Sequence, residues 1–245
     1  MMCALASQEA AQMLLTEISR RFKASALPGY RALICIGSFA GGSFVAGRSD
    51  LDLVVLFSGK QPDEAETLRQ TKELQDMIAD LPSHEEVEIL PRYDSDLAAD
   101  PKSGLYAHAD LIARLKVQAK LLDGSFDAQA LRMPGPKDFR AEFVKEFGPA
   151  FERLETLPAT EAALGAKFLF LALRYWLAIR RNRLVYHKSA LTEAYRQAKP
   201  ESALPTELEN LAQNYLTGKA TAKGYPEALG PFCLQLAREI SSFQE

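Results

Sequence analysis

The sequence predicts an α+β chain in two parts. The first carries a small mixed sheet flanked by helices, and the second is an all-α helical bundle. Three observations carry this reading. Short apolar runs of strand length cluster in the first half. Beyond them only helical spacing recurs, and such segregation marks separate layers or domains. Between the two lies Met133-Pro-Gly-Pro136, the stretch densest in proline and glycine, which suits a linker and divides the chain into 1–135 and 136–245.

Taken in order, residues 5–23 have helical spacing of Ala, Met, Leu and Ile, ended by Pro28-Gly29. Arg31 to Gly37 is an apolar run that enters a Gly-rich turn and reads as a buried strand. Leu51 to Phe57 is a second such run, and Glu86 to Leu90 a third. Pro62 to Ala79 reads as a helix with proline near its first turn and acids early. Leu105 to Leu122 reads as one helix, with Asp123-Gly124 as its C-cap. Helices follow at about 138–156, 160–182, 188–198, 205–216 and 226–243.

Composition limits the function classes. Apolar residues make up 47% and charged residues 25%, ordinary for a globular protein in water. With 29 basic against 32 acidic residues the net charge is −3, so a bulk polyanion is not the expected partner and nucleic acid is not expected. The three cysteines, Cys3, Cys35 and Cys233, lie far apart without CxxC spacing, which disfavours a zinc site or a disulfide framework. A reducing, cytoplasmic setting is expected. The N-terminus has no basic stretch before its apolar residues, so no signal peptide is expected. The longest apolar run, Ala162 to Ile179, holds Lys167 and Arg174 and reads as a buried helix rather than a membrane span.

The chemistry points to Gly37-Ser-Phe-Ala-Gly-Gly-Ser-Phe-Val-Ala-Gly-Arg-Ser-Asp-Leu-Asp52. Asp50 and Asp52 stand two apart at the start of a strand, so both project from one side. Carboxylates that close repel unless a cation lies between them, and magnesium accepts oxygen ligands from such a pair and from substrate phosphates. Gly37 and Ser38 end the preceding strand, where backbone N–H groups and a small hydroxyl suit a triphosphate. An Asp-x-Asp pair alone is common and can merely open a strand. The GS dipeptide upstream, with strand, turn and strand around it, is what makes the pattern specific.

The run GSFAGGSFVAGRSDLDLVV resembles the signature of the polymerase-β-like nucleotidyltransferase superfamily. The resemblance implies a third carboxylate on a neighbouring strand. Glu88, between Val87 and Ile89, is the natural match; Glu86 is its competitor by alternation, and Asp94 a weaker candidate. The second half is similar to the helical domain of aminoglycoside adenylyltransferases of the spectinomycin/streptomycin type. Leu171-Ala-Leu-Arg174-Tyr-Trp-Leu-Ala and Arg183-Leu-Val-Tyr-His-Lys188-Ser-Ala carry that likeness, and Asp110 to Gly124 looks like that family's helix joining the two domains. It implies Arg174 and Lys188 as nucleotide-binding cations. Arg174 interrupts an apolar helix and needs either a buried carboxylate or a ligand phosphate; Lys188 opens a helix, where a cation opposes the dipole. Trp176 reads as core, His187 as a surface turn residue, and His84 and His108 are assigned nothing.

The implied activity is transfer of AMP from ATP to a hydroxyl of a small-molecule acceptor bound between the two domains. Two magnesium ions would be held by Asp50 and Asp52, with Glu88 completing the site. Alternatives are a protein-AMPylating, antitoxin-type nucleotidyltransferase and a non-catalytic nucleotide-binding homologue. One departure from the resembled enzymes concerns the acceptor. They place an acid at the beginning of the helix bearing the arginine, whereas Ala162-Ala-Leu-Gly165 has none; Glu161 and Glu155 lie earlier.

Overall fold

A computed structural model of the chain describes residues 5–47, 49–152, 162–202, 204–219 and 226–243. It is mixed α and β, with one four-stranded mixed sheet and helices. The chain divides into two compact units, Met1–Met133 and Pro134–Glu245. No helix among the described residues is long and apolar enough to cross a membrane.

The first unit opens with α1 (Gln8–Ala24), capped by Ser7, whose hydroxyl accepts the Ala10 N–H at 3.0 Å. Then come β1 (Tyr30–Ile36), the single turn α2 (Gly37–Ala40), β2 (Leu51–Phe57), α3 (Glu64–Asp76) and β3 (Val87–Tyr93). Asp63 caps α3 by accepting the Glu66 N–H at 2.9 Å, and Glu64 and Glu66 sit in its first turn, where acids favour the dipole. The unit closes with α4 (Ala109–Val117) and β4 (Lys120–Gly124).

The sheet order is β3-β2-β1-β4. β1 runs antiparallel to β2 and β4, while β2 and β3 are parallel. Alternation puts Leu33, Cys35, Leu51, Leu53, Val55, Phe57, Val87 and Ile89 into one apolar core with Leu15, Ile18 and Phe22 of α1 and Leu74 of α3. Each fully buried aliphatic side chain there contributes about 1.5–3 kcal/mol. Ile34, Ile36, Val54 and Leu56 point the other way and are buried too, so β1 and β2 read as continuous apolar runs.

The helix expected over 105–122 is corrected. α4 ends at Val117, and Lys120–Gly124 is an edge strand paired with β1. The stretch likened to an interdomain helix is therefore helix plus strand, both within the first unit. Gly124 is not a C-cap. A Cβ there would lie 2.9 Å from Ala32 Cα and closer still to Arg31 O, so glycine lets β4 close onto β1. Lys120 and Leu121 are exposed, the mark of an edge strand, and nothing between Val117 and Lys120 is a proline or glycine that would have marked the break.

The described residues of the second unit form helices and the loops between them, with no strand among them. α5 (Pro136–Glu142) begins with proline at its first position, where the missing N–H costs nothing. A π-helical stretch, Phe143–Phe147, joins it to α6 (Gly148–Glu152). α7 (Ala162–Arg181), α8 (Lys188–Ala198), α9 (Thr206–Leu216) and α10 (Leu229–Ser241) follow. α7 is the hub: α5, α8, α9 and α10 all pack against it. Its residues Leu169, Phe170, Leu173, Tyr175, Trp176, Leu177 and Ile179 are all buried. Asn182 at φ 47 ends it, in a region where asparagine is tolerated. Trp176 is core, as its surroundings in the sequence imply; its indole N–H donates to Glu239 at 2.7 Å.

Candidate active site

The GS turn, the paired aspartates and Glu88 meet at one end of the sheet. β1 delivers Ile36 opposite Asp52, the second residue of antiparallel β2. β3 then brings Glu88 into register beside Asp52. In a parallel pair, residues in register share a face, so Asp52 and Glu88 project on the side away from the α1/α3 core. Leu51 between the aspartates is fully buried in that core, and Asp50 and Asp52 flanking it are half-buried. Each of the two aspartates keeps an interaction within the protein.

Gly37 ties the turn to this carboxylate. Its φ of 76° lies in the left-handed region. A Cβ at this position would stand 2.8 Å from Asp52 Cγ and closer still to Oδ2, a separation real Cβ atoms essentially never show. Only glycine lets the chain turn here with the Asp52 carboxylate against it. The rest of the turn is held by backbone bonds: Gly41 N–H donates to Gly37 O at 3.0 Å and Ser43 N–H to Ser38 O at 2.8 Å. Ser38 is half-buried in it. The loop returns to β2 through Ser49, which is buried and accepts the Val45 N–H at 3.0 Å on its hydroxyl.

The electrostatics of this end are felt in the core. The Cys35 thiol, one residue before Ile36, is pushed up to about 12, first by burial and then by the charge of Asp52. It stays a neutral thiol and is no nucleophile at neutral pH.

Asp94 is placed elsewhere, and Glu86 sits just before the strand, at the same end as Asp50. Glu86 lies in the 3₁₀ turn His84–Glu86 that precedes β3. Asp94 follows Tyr93, which pairs with Phe57 at the far end of β2. That is five residues from Asp52, about 16 Å at strand rise. There Asp94 accepts the Gly59 N–H at 3.0 Å and pairs with Arg31, a structural role.

Hard oxygen donors from Asp50, Asp52 and Glu88 suit magnesium in kind. Among the described residues no three His, Cys, Asp or Glu side chains are gathered closely enough to hold a metal ion, and the Glu88 side chain is exposed. The backbone aligns Asp52 with Glu88 in register without gathering three acidic side chains at one point.

In the second unit, Arg174 is half-buried on α7, with its guanidinium 5.7 Å from the Tyr186 ring centroid and 5.9 Å from that of Tyr175. It keeps a partner within the protein. Lys188 is the first residue of α8, as its spacing predicts; its ammonium donates to the Tyr215 hydroxyl at 3.2 Å. Phe170, one turn before Arg174, stacks edge-on with Tyr215 at 5.6 Å. Lys188 thus belongs to an aromatic pair of Tyr215 and Phe170, while Arg174 lies against Tyr175 and Tyr186. His187 is exposed, as a surface turn residue should be.

Sequence reasoning missed Gln118. Its side chain lies against Gly41 in the GS turn, and a Cβ there would stand 3.3 Å from Gln118 Cδ. No local signal marks it, because the helical pattern continues across it. No protein-family model matches the chain, and no curated protein does.

Proposed function

We propose that this chain is a metal-dependent nucleotidyltransferase that transfers AMP from ATP to a hydroxyl of a small-molecule acceptor. The observation that carries the reading is the register of Asp52 beside Glu88, with Gly37 pressed against the Asp52 carboxylate. The strand register brings a GS turn, a DxD pair and a third acid, far apart in sequence, to one end of the sheet.

In this reading Asp50 and Asp52 would hold magnesium, which would neutralise charge on the triphosphate. The turn at Gly37 and Ser38 fixes the phosphates against Asp52. Glu88, exposed at the rim of the same end, accepts the proton of the acceptor hydroxyl. The acceptor oxygen then bonds to the α-phosphorus as the bond to the bridging oxygen breaks, and pyrophosphate leaves. Arg174 and Lys188 are proposed as further phosphate ligands.

Calorimetric titration with ATP tests the first step. Binding that requires magnesium and is lost in Asp52→Asn supports the reading; ATP binding indifferent to both removes it.

A further inference from the structure

The helix α4 ends at Gln118 although the sequence pattern runs on, and the break brings a polar segment onto the GS turn. Gln118 leaves α4 with φ −142° and ψ 10° while its N–H still donates to Arg114 O at 2.9 Å. Its carboxamide then reaches Gly41: a Cβ there would stand 3.3 Å from Gln118 Cδ and closer still to Oε1. The backbone at Gly41, φ −82° and ψ 1°, is open to any residue. A Cβ at Gly41 would thus meet the tip of the flexible Gln118 side chain and, at 3.2 Å, the turn's own Gly37 O. Two residues on, Lys120 opens β4 opposite Cys35. Its ammonium lies 5.9 Å from the ring centroid of Phe39, in the same turn, and donates to Gln12 at 3.1 Å. The segment 118–120 therefore touches the turn at two points, Gly41 and Phe39. A local departure from the sequence's own pattern is where a functional constraint is expected.

We infer that Gln118 is a positioning residue for the nucleotide phosphates: its carboxamide sets the Gly37–Gly41 turn and thereby the place of the triphosphate against Asp52. The inference rests on the nucleotidyltransferase reading above. A carboxamide suits the role because it is planar and polar yet uncharged, so it braces the turn without repelling phosphate. A carboxylate of the same shape would fill the same space and repel it.

The test compares wild type, Gln118→Ala, Gln118→Glu, Gly41→Ala and the Gly41→Ala/Gln118→Ala double variant. Titration calorimetry reads the dissociation constant of Mg·ATP, and thermal unfolding is followed without ligand. Each single variant is expected to weaken Mg·ATP binding about tenfold or more, a loss of about 1.4 kcal/mol. The double variant is expected to bind no more weakly than the weaker single one, because removing the carboxamide makes room for the new Cβ, so the two effects are coupled. Melting temperatures are expected to stay within about 3 °C of wild type, a shift under about 1 kcal/mol. Gln118→Glu keeps the packing and guards against a variant that fails only by unfolding. Wild-type affinity in both Gln118 variants, or additive losses in the double variant, overturns the inference and leaves the nucleotidyltransferase reading standing. A wild-type protein that binds no Mg·ATP overturns that reading, and the inference with it.

Discussion

Gly37→Ala separates backbone strain from damage to the site. At φ 76° an alanine costs about 1–2 kcal/mol through Cβ crowding alone. The new methyl also meets Asp52, with Cγ only 2.8 Å away and Oδ2 closer. Either the turn or the carboxylate must therefore shift, by on the order of 1 Å, and a misplacement of that size at a reacting centre can cost about 100-fold in rate. Gly47 supplies the control. It has φ 72° in the loop between the turn and β2, and a Cβ there meets nothing within 4 Å. Gly47→Ala carries the same strain without the collision. Urea unfolding is expected to show losses of about 1–2 kcal/mol in Gly47→Ala and at least as much in Gly37→Ala. Mg·ATP binding and AMP transfer are expected to fall steeply in Gly37→Ala only. If Gly37→Ala retains nucleotide affinity and turnover equal to Gly47→Ala, the contact between the turn and Asp52 has no functional meaning and the reasoning fails.

Three further outcomes follow from the same geometry. Glu88→Gln is expected to bind nucleotide but lose acceptor activation, whereas Glu86→Gln, altered in the turn before the strand, is expected to stay active; the reverse pattern in a pyrophosphate-release assay would assign the third carboxylate to Glu86. Arg174→Ala is expected to weaken ATP binding by about 1.5–3 kcal/mol, the worth of a charge-assisted phosphate contact; equal affinity with a lowered melting temperature would make Arg174 structural. Streptomycin and spectinomycin are expected to be poor acceptors, because ammonium-rich ligands need facing acids and the first turn of α7 has none. Glu161 and Glu155, the nearest acids, lie outside the described residues. Efficient adenylylation of either drug would reverse that expectation.

The elements legible in the sequence were those whose pattern is local. β2 spans Leu51–Phe57, the apolar run as read, and α8 begins at Lys188 and ends at Ala198 as its spacing predicts. β4 was illegible because its evidence is not local. Lys120 to Gly124 alternates weakly, and only the open edge of β1 and the close approach at Gly124 make it a strand. The same holds for the site. Asp50 and Asp52 declare themselves by spacing, but alternation cannot choose between Glu86 and Glu88, which are two residues apart. The turn at His84–Glu86 and the register of β3 put Glu88 in the strand and Glu86 just before it, and both depend on tertiary pairing. Gln118 gave no signal, because what marks it is a glycine 77 positions earlier whose own backbone does not need to be glycine.

The proposed activity is transfer of a nucleoside monophosphate under control of the Asp50/Asp52 pair. ATP labelled on its α-phosphate, incubated with the protein, magnesium and a panel of small hydroxyl compounds, measures it directly. Label is expected on an acceptor with one pyrophosphate released per transfer, abolished by excess chelator and by Asp52→Asn while that variant unfolds at the wild-type temperature. Transfer at wild-type rates in Asp52→Asn or in chelator, or a wild-type protein that neither binds Mg·ATP nor labels any acceptor, would contradict it.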